Sequence, residues 1–179
     1  QILTFDSPAY PQLLKEIYDP PVVLFIRGNA DLLLLPKMAI VGSRNATVSG
    51  REIANKLANE LTDQFVVTSG MALGIDAQAH LGAMQNQGFT IAVVATGLDL
   101  IYPARHKALQ KDILENKGLI ISEFAPGVAP KAGHFPKRNR LISGLSLGVI
   151  VVEASMKSGS LISARCALLQ GREVFAVPS

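Results

Sequence analysis

One cysteine, Cys166, in 179 residues excludes an internal disulfide and leaves no thiol cluster for zinc, as expected in a reducing compartment. Long apolar runs are also missing. Gly, Pro or a charge interrupts each hydrophobic stretch before the roughly 18 to 20 residues that a membrane span requires, so no membrane partner is expected. The opening Gln-Ile-Leu-Thr-Phe-Asp has no basic segment leading into an apolar one, which argues against a secretory signal and for a cytoplasmic location. Histidines stand only at 80, 106 and 134, too few and too scattered to suggest a metal cage. Charged residues make up only 17% against 49% hydrophobic, a balance that excludes a disordered chain. Acidic residues are absent from the whole stretch between Glu123 and Glu153, where Lys131, Lys137, Arg138 and Arg140 concentrate what is globally a net charge of only +3.

Short β-branched runs fill the chain at Val22–Arg27, Met38–Val41, Phe65–Thr68, Thr90–Ala95, Leu119–Ser122, Leu147–Val152 and Val174–Val177. They are nearly continuous in apolar residues, as strands covered on both faces are. Between them lie helical patterns: Ile53, Ala54, Leu57, Ala58 and Leu61 recur at three- and four-residue spacing after a candidate cap, Ser49. Further helices are expected at about Ile75–Gln87, Arg105–Asn116, Phe135–Leu145 and Leu161–Gln170, with Gly88, Gly118 and Gly171 where glycine caps belong. The alternation predicts an α/β fold of extended Rossmann-like type, a doubly wound, mostly parallel sheet with helices on both faces. Residues 1–179 read as one domain, with a Pro-marked lead-in over 1–36 packing on the sheet edge.

Polar and glycine-rich residues follow the strand candidates: Gly42-Ser43-Arg44, Ser69-Gly70, Thr96-Gly97-Leu98-Asp99 and Ser158-Gly159-Ser160. In an open α/β sheet the strand carboxyl ends form the ligand crevice, and the helices that follow offer unpaired N–H groups to anions, so several phosphate-sized seats are expected side by side. Gly42-Ser43-Arg44 suits a phosphate, but a plain turn with a solvated arginine fits those three residues as well. A dinucleotide fits less well, because G-x-G-x-x-G is absent after this strand and Thr68-Ser69-Gly70 lacks the ribose-binding acid. Asp76 and His80, four apart on one helix face, favour a structural role, the Asp serving the helix dipole. Cys166 on an apolar face reads as packing. His134-Phe135-Pro136-Lys137-Arg138-Asn139-Arg140 combines cations with an aromatic face, the chemistry that binds single-stranded nucleic acid, although a solvated helix face around a core Phe has the same composition. Arg105 adds charge to the same edge.

These pieces stand together in a specific order. Val41-Gly42-Ser43-Arg44, Ser69-Gly70-Met71-Ala72-Leu73-Gly74-Ile75-Asp76-Ala77, Thr96-Gly97-Leu98-Asp99 with Tyr102-Pro103, Phe135-Pro136 with Arg138-Asn139-Arg140, Val152-Glu153-Ala154 and Ser158-Gly159-Ser160-Leu161 resemble the DprA/Smf DNA-processing family over nearly the whole chain. The resemblance implies a Rossmann-like domain that binds single-stranded DNA in a basic pocket, forms a homodimer and helps load the RecA recombinase in natural transformation (competence) and DNA recombination. It implies no cofactor and no catalysis, and a C-terminal part of the full-length protein beyond this stretch. Carried over by position, the binding residues are Gly42, Ser43, Arg44, Ser69, Gly70, Arg105, Lys131, Phe135, Lys137, Arg138, Asn139, Arg140, Ser158, Gly159 and Ser160. Arg105 and His106 stand where the family commonly has an acid and Asn. The competing reading is a nucleotide-binding or nucleotide N-glycosidic-bond-cleaving enzyme of a related Rossmann-like group. Ser158-Gly159-Ser160-Leu161 departs from the Gly-Gly-x-Gly-Thr loop of such enzymes, and Glu153 has no evident partner acid or base in the sequence. A third reading is an interaction scaffold that the basic patch merely keeps soluble.

Overall fold

The computed structural model describes residues 1–155 and 158–178. Strands β1 (Ile2–Thr4), β2 (Val23–Gly28), β3 (Lys37–Gly42), β4 (Val66–Ser69), β5 (Thr90–Val93), β6 (Leu119–Ser122), β7 (Gly148–Val152) and β8 (Glu173–Ala176) form one sheet in the order β1-β2-β6-β5-β4-β3-β7-β8. From β6 to β8 all pairings are parallel, whereas β2 runs antiparallel to β6 and β1 antiparallel to β2. The lead-in thus extends the sheet by two strands, the reversed β2 and then β1 in the direction of β6, joined by antiparallel pairings that require no crossover helix.

Helices α1 (Gln12–Lys15), α2 (Val48–Leu61), α3 (Ile75–Gln85), α4 (Lys107–Glu115), α5 (His134–Leu145) and α6 (Gly159–Leu169) cover both faces. Because side chains alternate along a strand, odd and even positions enter different cores. Ala39 and Val41 of β3 pack with Leu14, Leu141, Leu145 and Ala167 of α1, α5 and α6. Ile40 and Val67 pack with Ala54, Ala58, Ile75 and Ala79 of α2 and α3, while Ala92 and Ile120 meet Leu109 and Ile113 of α4.

Two local expectations need correction. Thr47, not Ser49, caps α2, its hydroxyl accepting the Gly50 N–H at 3.0 Å, so the helix begins ahead of the periodic apolar residues. After α3 and α4 the left-handed residues are Gln87 (φ 56) and Lys117 (φ 57), one before the expected glycines; only Gly171 (φ 67) takes that conformation itself. Gly118 is required for space instead, since an added Cβ would crowd Ile113.

The topology fixes where a ligand fits. From β3 the chain winds through β4 and β5 to β6 by way of α2, α3 and α4, then crosses back under the sheet through α5 to enter β7 on the other side of β3. The β3/β7 boundary, in register from Met38↔Gly148 to Gly42↔Val152, is the topological switch point, where crevices open in such sheets.

Candidate nucleic-acid interface

A cavity of about 680 Å³ lies at that switch point. Gly42, Ser43, Arg44 and Asn45 from the β3 end form one wall, and Ser155, Ser158, Gly159 and Ser160 from the β7–α6 connection form another. Lys131, Phe135, Arg138 and Asn139, before and within α5, close it together with Tyr102. Gly42 permits the close approach of the two walls, because any side chain there would overlap the Val152 carbonyl oxygen.

Arg44 is exposed, and its guanidinium carbon lies 5.4 Å from the centroid of the half-buried Phe135 ring, a cation–π geometry. Tyr102, 47% exposed, sits 5.5 Å from the same ring at a tilt of 50°. Sequence reasoning missed Tyr102 as part of the aromatic face, although Tyr102-Pro103 was among the motifs in hand. A smaller cavity of about 70 Å³ continues beneath Phe135 and Tyr102 along Gly70–Leu73 and Val94–Thr96. Lys131 is exposed at the rim.

The basic segment divides by helix face. Arg138 is only 4% exposed: its guanidinium donates to the carbonyl oxygens of Gly70 and Val93, and its Nε to Asn139 Oδ1 at 3.1 Å. Asn139 in turn donates to the Gly159 carbonyl at 3.2 Å. These two side chains therefore bolt the second turn of α5 to the ends of β4 and β5 and to the start of α6. Lys137 and Arg140 point elsewhere. Arg140 makes a bidentate pair with Glu123 at 2.7 and 3.0 Å and approaches Asp19 at 3.3 Å, while Lys137 lies 3.7 Å from Glu123. Neither lines the cavity, and both charges are already matched by acids. Arg105 is exposed on a 3-10 turn outside the cavity wall. Ser69 is fully buried, donating to the Ile40 carbonyl at 2.7 Å to tie β4 to β3, and Gly70 contributes backbone to the smaller cavity.

The row of anion seats is also reduced. The start of α3 is filled by its own Asp76, whose Oδ2 accepts the N–H groups of Gly70 at 3.1 Å and Ala72 at 3.2 Å. Burial pushes the Asp76 carboxyl up, while the Arg138 charge and those two N–H groups draw it back; burial likewise lowers Arg138 to about 10. The start of α2 is filled by Glu153, which accepts the Thr47 N–H at 3.0 and 3.1 Å and the Thr47 hydroxyl at 2.6 Å. Glu153 thus has a hydrogen-bond partner 106 residues away that the sequence did not disclose, though Thr47 is neither an acid nor a base. Residues at the starts of α5 and α6, Phe135, Pro136, Gly159 and Ser160, line the cavity; at α6 Ser158 caps the helix and shares a 2.6 Å hydroxyl contact with Ser160.

The other polar candidates are structural. His80 Nδ1 lies 2.7 Å from the Thr90 hydroxyl, which itself donates to the Val67 carbonyl, and burial lowers His80 to about 3. Asp99 accepts the Gly127 N–H, fastening the turn after β5 to the loop after β6. Burial raises the Cys166 thiol, which is the opposite of activation. Among the described residues no group of three His, Cys, Asp or Glu is placed to hold a metal, and no helix is long and apolar enough to cross a membrane.

Known proteins share both sequence and fold. The DNA processing protein DprA of Streptococcus pneumoniae is 52% identical over 170 residues, covering 95% of this chain and 60% of that protein. Protein Smf of Escherichia coli is 47% identical over 178 residues, 99% of this chain and 48% of that protein, so the chain spans only about half to three-fifths of these relatives. The X-ray structure of the pneumococcal DprA superposes with a TM-score of 0.95 at 48% identity, over 100% of this chain and 63% of that one. DprA of Helicobacter pylori, whose structure was described for its single-stranded DNA binding mode, superposes with a TM-score of 0.89 at 37% identity, over 100% and 81%. A molybdenum cofactor binding protein of Rippkaea orientalis shares the fold alone, at TM-score 0.59 and 18% identity over 79% of this chain and 76% of that one. The family model described as DNA recombination-mediator protein A matches residues 1–179, and with relatives this similar along its length the chain belongs to that family.

Proposed function

We propose that the switch-point cavity binds the backbone of single-stranded DNA, with a base resting on the aromatic face. The observation that carries this reading is the exposed Arg44 held over Phe135 at the mouth of an open cavity. A cation beside a half-buried ring offers one contact to a phosphate and one to a base, and a paired duplex cannot present both. Lys131 supplies an ammonium and Ser43, Ser158 and Ser160 hydroxyls around the phosphate, Gly42 and Gly159 let it approach the backbone, and Arg138 and Asn139 hold the N-terminal half of α5, which carries Phe135. Kinship with DprA proteins, one of them described for binding single-stranded DNA, supports the same reading.

For the whole protein this reading implies a non-enzymatic, cytoplasmic role in DNA processing during transformation and recombination, with RecA and a second copy of the chain as partners and residues 1–179 as one domain. Of the two acids nearest the cavity, Asp76 is engaged by the Gly70 and Ala72 N–H groups and Glu153 by Thr47, which disfavours general acid–base work on a nucleotide. Oligonucleotide titration at fixed salt tests the proposal. Saturable binding to single-stranded DNA, weaker binding to duplex and little base preference are expected; equal affinity for both forms overturns it.

A further inference from the structure

Removing a negative charge beside a site for a polyanion ordinarily strengthens binding. Glu153 lies beside the cavity, between the strand end and the residues Ser155 and Ser158 that line it, and its backbone sits in the left-handed region at φ 58. A charged, non-glycine residue in that conformation persists only where its surroundings hold it. Those surroundings are the Arg44 loop. The Glu153 carbonyl accepts the Ser43 N–H at 2.8 Å, its carboxylate takes both the N–H and the hydroxyl of Thr47, and the space of an absent Gly50 side chain is occupied by that carboxylate. Residues 43 to 47 are therefore gripped at both ends by one residue of the opposite wall. The loop is also tied by the Ser43 carbonyl, which accepts the Ile75 N–H at 3.1 Å, and by the buried Ala46, whose carbonyl accepts Arg51 Nε at 3.0 Å and Nη2 at 2.9 Å.

We infer that Glu153 is a positioning residue for DNA binding: its carboxylate is a resident anion at the start of α2 that fixes the 43–47 loop and so aims Arg44 over Phe135 into the cavity. This rests on the reading of the cavity as a single-stranded DNA site. It reverses the electrostatic expectation, because losing this negative charge then weakens the hold on a polyanion. It also assigns the start of α2 to the chain itself, leaving the starts of α5 and α6 for phosphate.

Two readouts test the inference, one of them independent of DNA. In limited trypsin digestion of the folded protein, Glu153→Ala should be cut after Arg44 faster than the parent, while cuts after Arg51 and Lys56 in the body of α2 stay unchanged. Glu153→Gln, whose amide oxygen still accepts from Thr47, should lie near the parent. In oligonucleotide titrations, Glu153→Ala should lose about fivefold or more in affinity, the scale of coupled neighbours, and Glu153→Gln should restore most of it. The same change made in an Arg44→Ala background should have no further weakening effect, since there is no longer a guanidinium to aim. Unchanged cleavage after Arg44, or equal or tighter DNA binding by Glu153→Ala, overturns the inference. Equal losses in both backgrounds also overturn it, because a general loss of structure does not depend on Arg44. If the parent protein fails to bind single strands while Arg44 cleavage still depends on Glu153, the DNA reading falls and the loop-positioning role stands.

Discussion

Replacing Arg138 by Met isolates the buried bolt of α5, because Met keeps the volume of the stem while removing every donor. The guanidinium supplies hydrogen bonds to two carbonyls, Gly70 and Val93, at a residue 4% exposed, and its charge acts on the buried Asp76. Leaving two buried carbonyls without their charged donor, and Asp76 without a nearby opposite charge, costs about 3 to 5 kcal/mol in all. For a chain of this size that is a fall in Tm of about 6 to 20 °C. The loss should also depend on pH in a defined direction. Asp76 already has a folded value above its unfolded one, and losing Arg138 raises it further. In that range the folded state binds more protons than the unfolded one, so stability is greatest below the unfolded carboxylate value and falls as pH rises through the folded value. Arg138→Met should therefore lie furthest below the parent near pH 7 and recover toward it as the pH drops to about 5, and adding Asp76→Asn should recover part of the deficit at pH 7. Urea unfolding of the parent and both variants at the two pH values measures this. A deficit under about 1 kcal/mol, or one that is the same at both pH values, refutes the assignment of Arg138 and Asp76 as a coupled pair.

Two further predictions concern the cavity and its surroundings. Arg44→Ala should reduce the magnitude of the log affinity against log salt slope by about 0.7, one counterion fewer, whereas Phe135→Ala should cost about 1 to 3 kcal/mol with the slope unchanged; titrations across a salt series separate the two, and a common slope change for both contradicts the division of labour. Arg140→Ala should leave single-strand affinity within about twofold of the parent, because its charge is spent on Glu123, yet lower stability by about 1 to 3 kcal/mol; a large loss of affinity by titration would place Arg140 in the DNA path after all.

Strands β3 to β7 were legible because burial on both faces leaves nearly continuous apolar runs; β2 and the exposed β8 carry apolar runs without that burial, and all seven candidates lie within two residues of observed strands. Strand β1 was not, since three residues with one buried side chain carry no pattern. Neither was the reversal of β2, because an apolar run has no direction; only its partner, β6, sets it. Gly42-Ser43-Arg44 and Ser158-Gly159-Ser160 stand out in the sequence by their position after strands and Phe135 by the basic residues around it, and the structure brings them to one cavity. The division of the basic segment was missed, although the signal existed. Arg138 falls on the same helical stripe as Leu141, Ile142 and Leu145, three, four and seven residues on, all of them buried; Lys137 and Arg140 fall off it. The link between Thr47 and Glu153 had no sequence signal, because nothing local relates positions 106 residues apart.

That separation has a consequence for how the protein is made. β3 pairs on one side with β4, only a helix away, and on the other with β7, whose first residue comes more than a hundred positions after the start of β3. A chain leaving the ribosome can assemble β3 through β6 with α2, α3 and α4 while the far edge of β3 still has no neighbour. Until β7 emerges, Met38–Gly42 presents an apolar strand edge open to pairing with any other chain. The cavity cannot exist in that interval, since one of its walls has not been synthesised. Fragments ending before β7 should therefore aggregate and lack the site together, which ties solubility and DNA binding to one late event in synthesis.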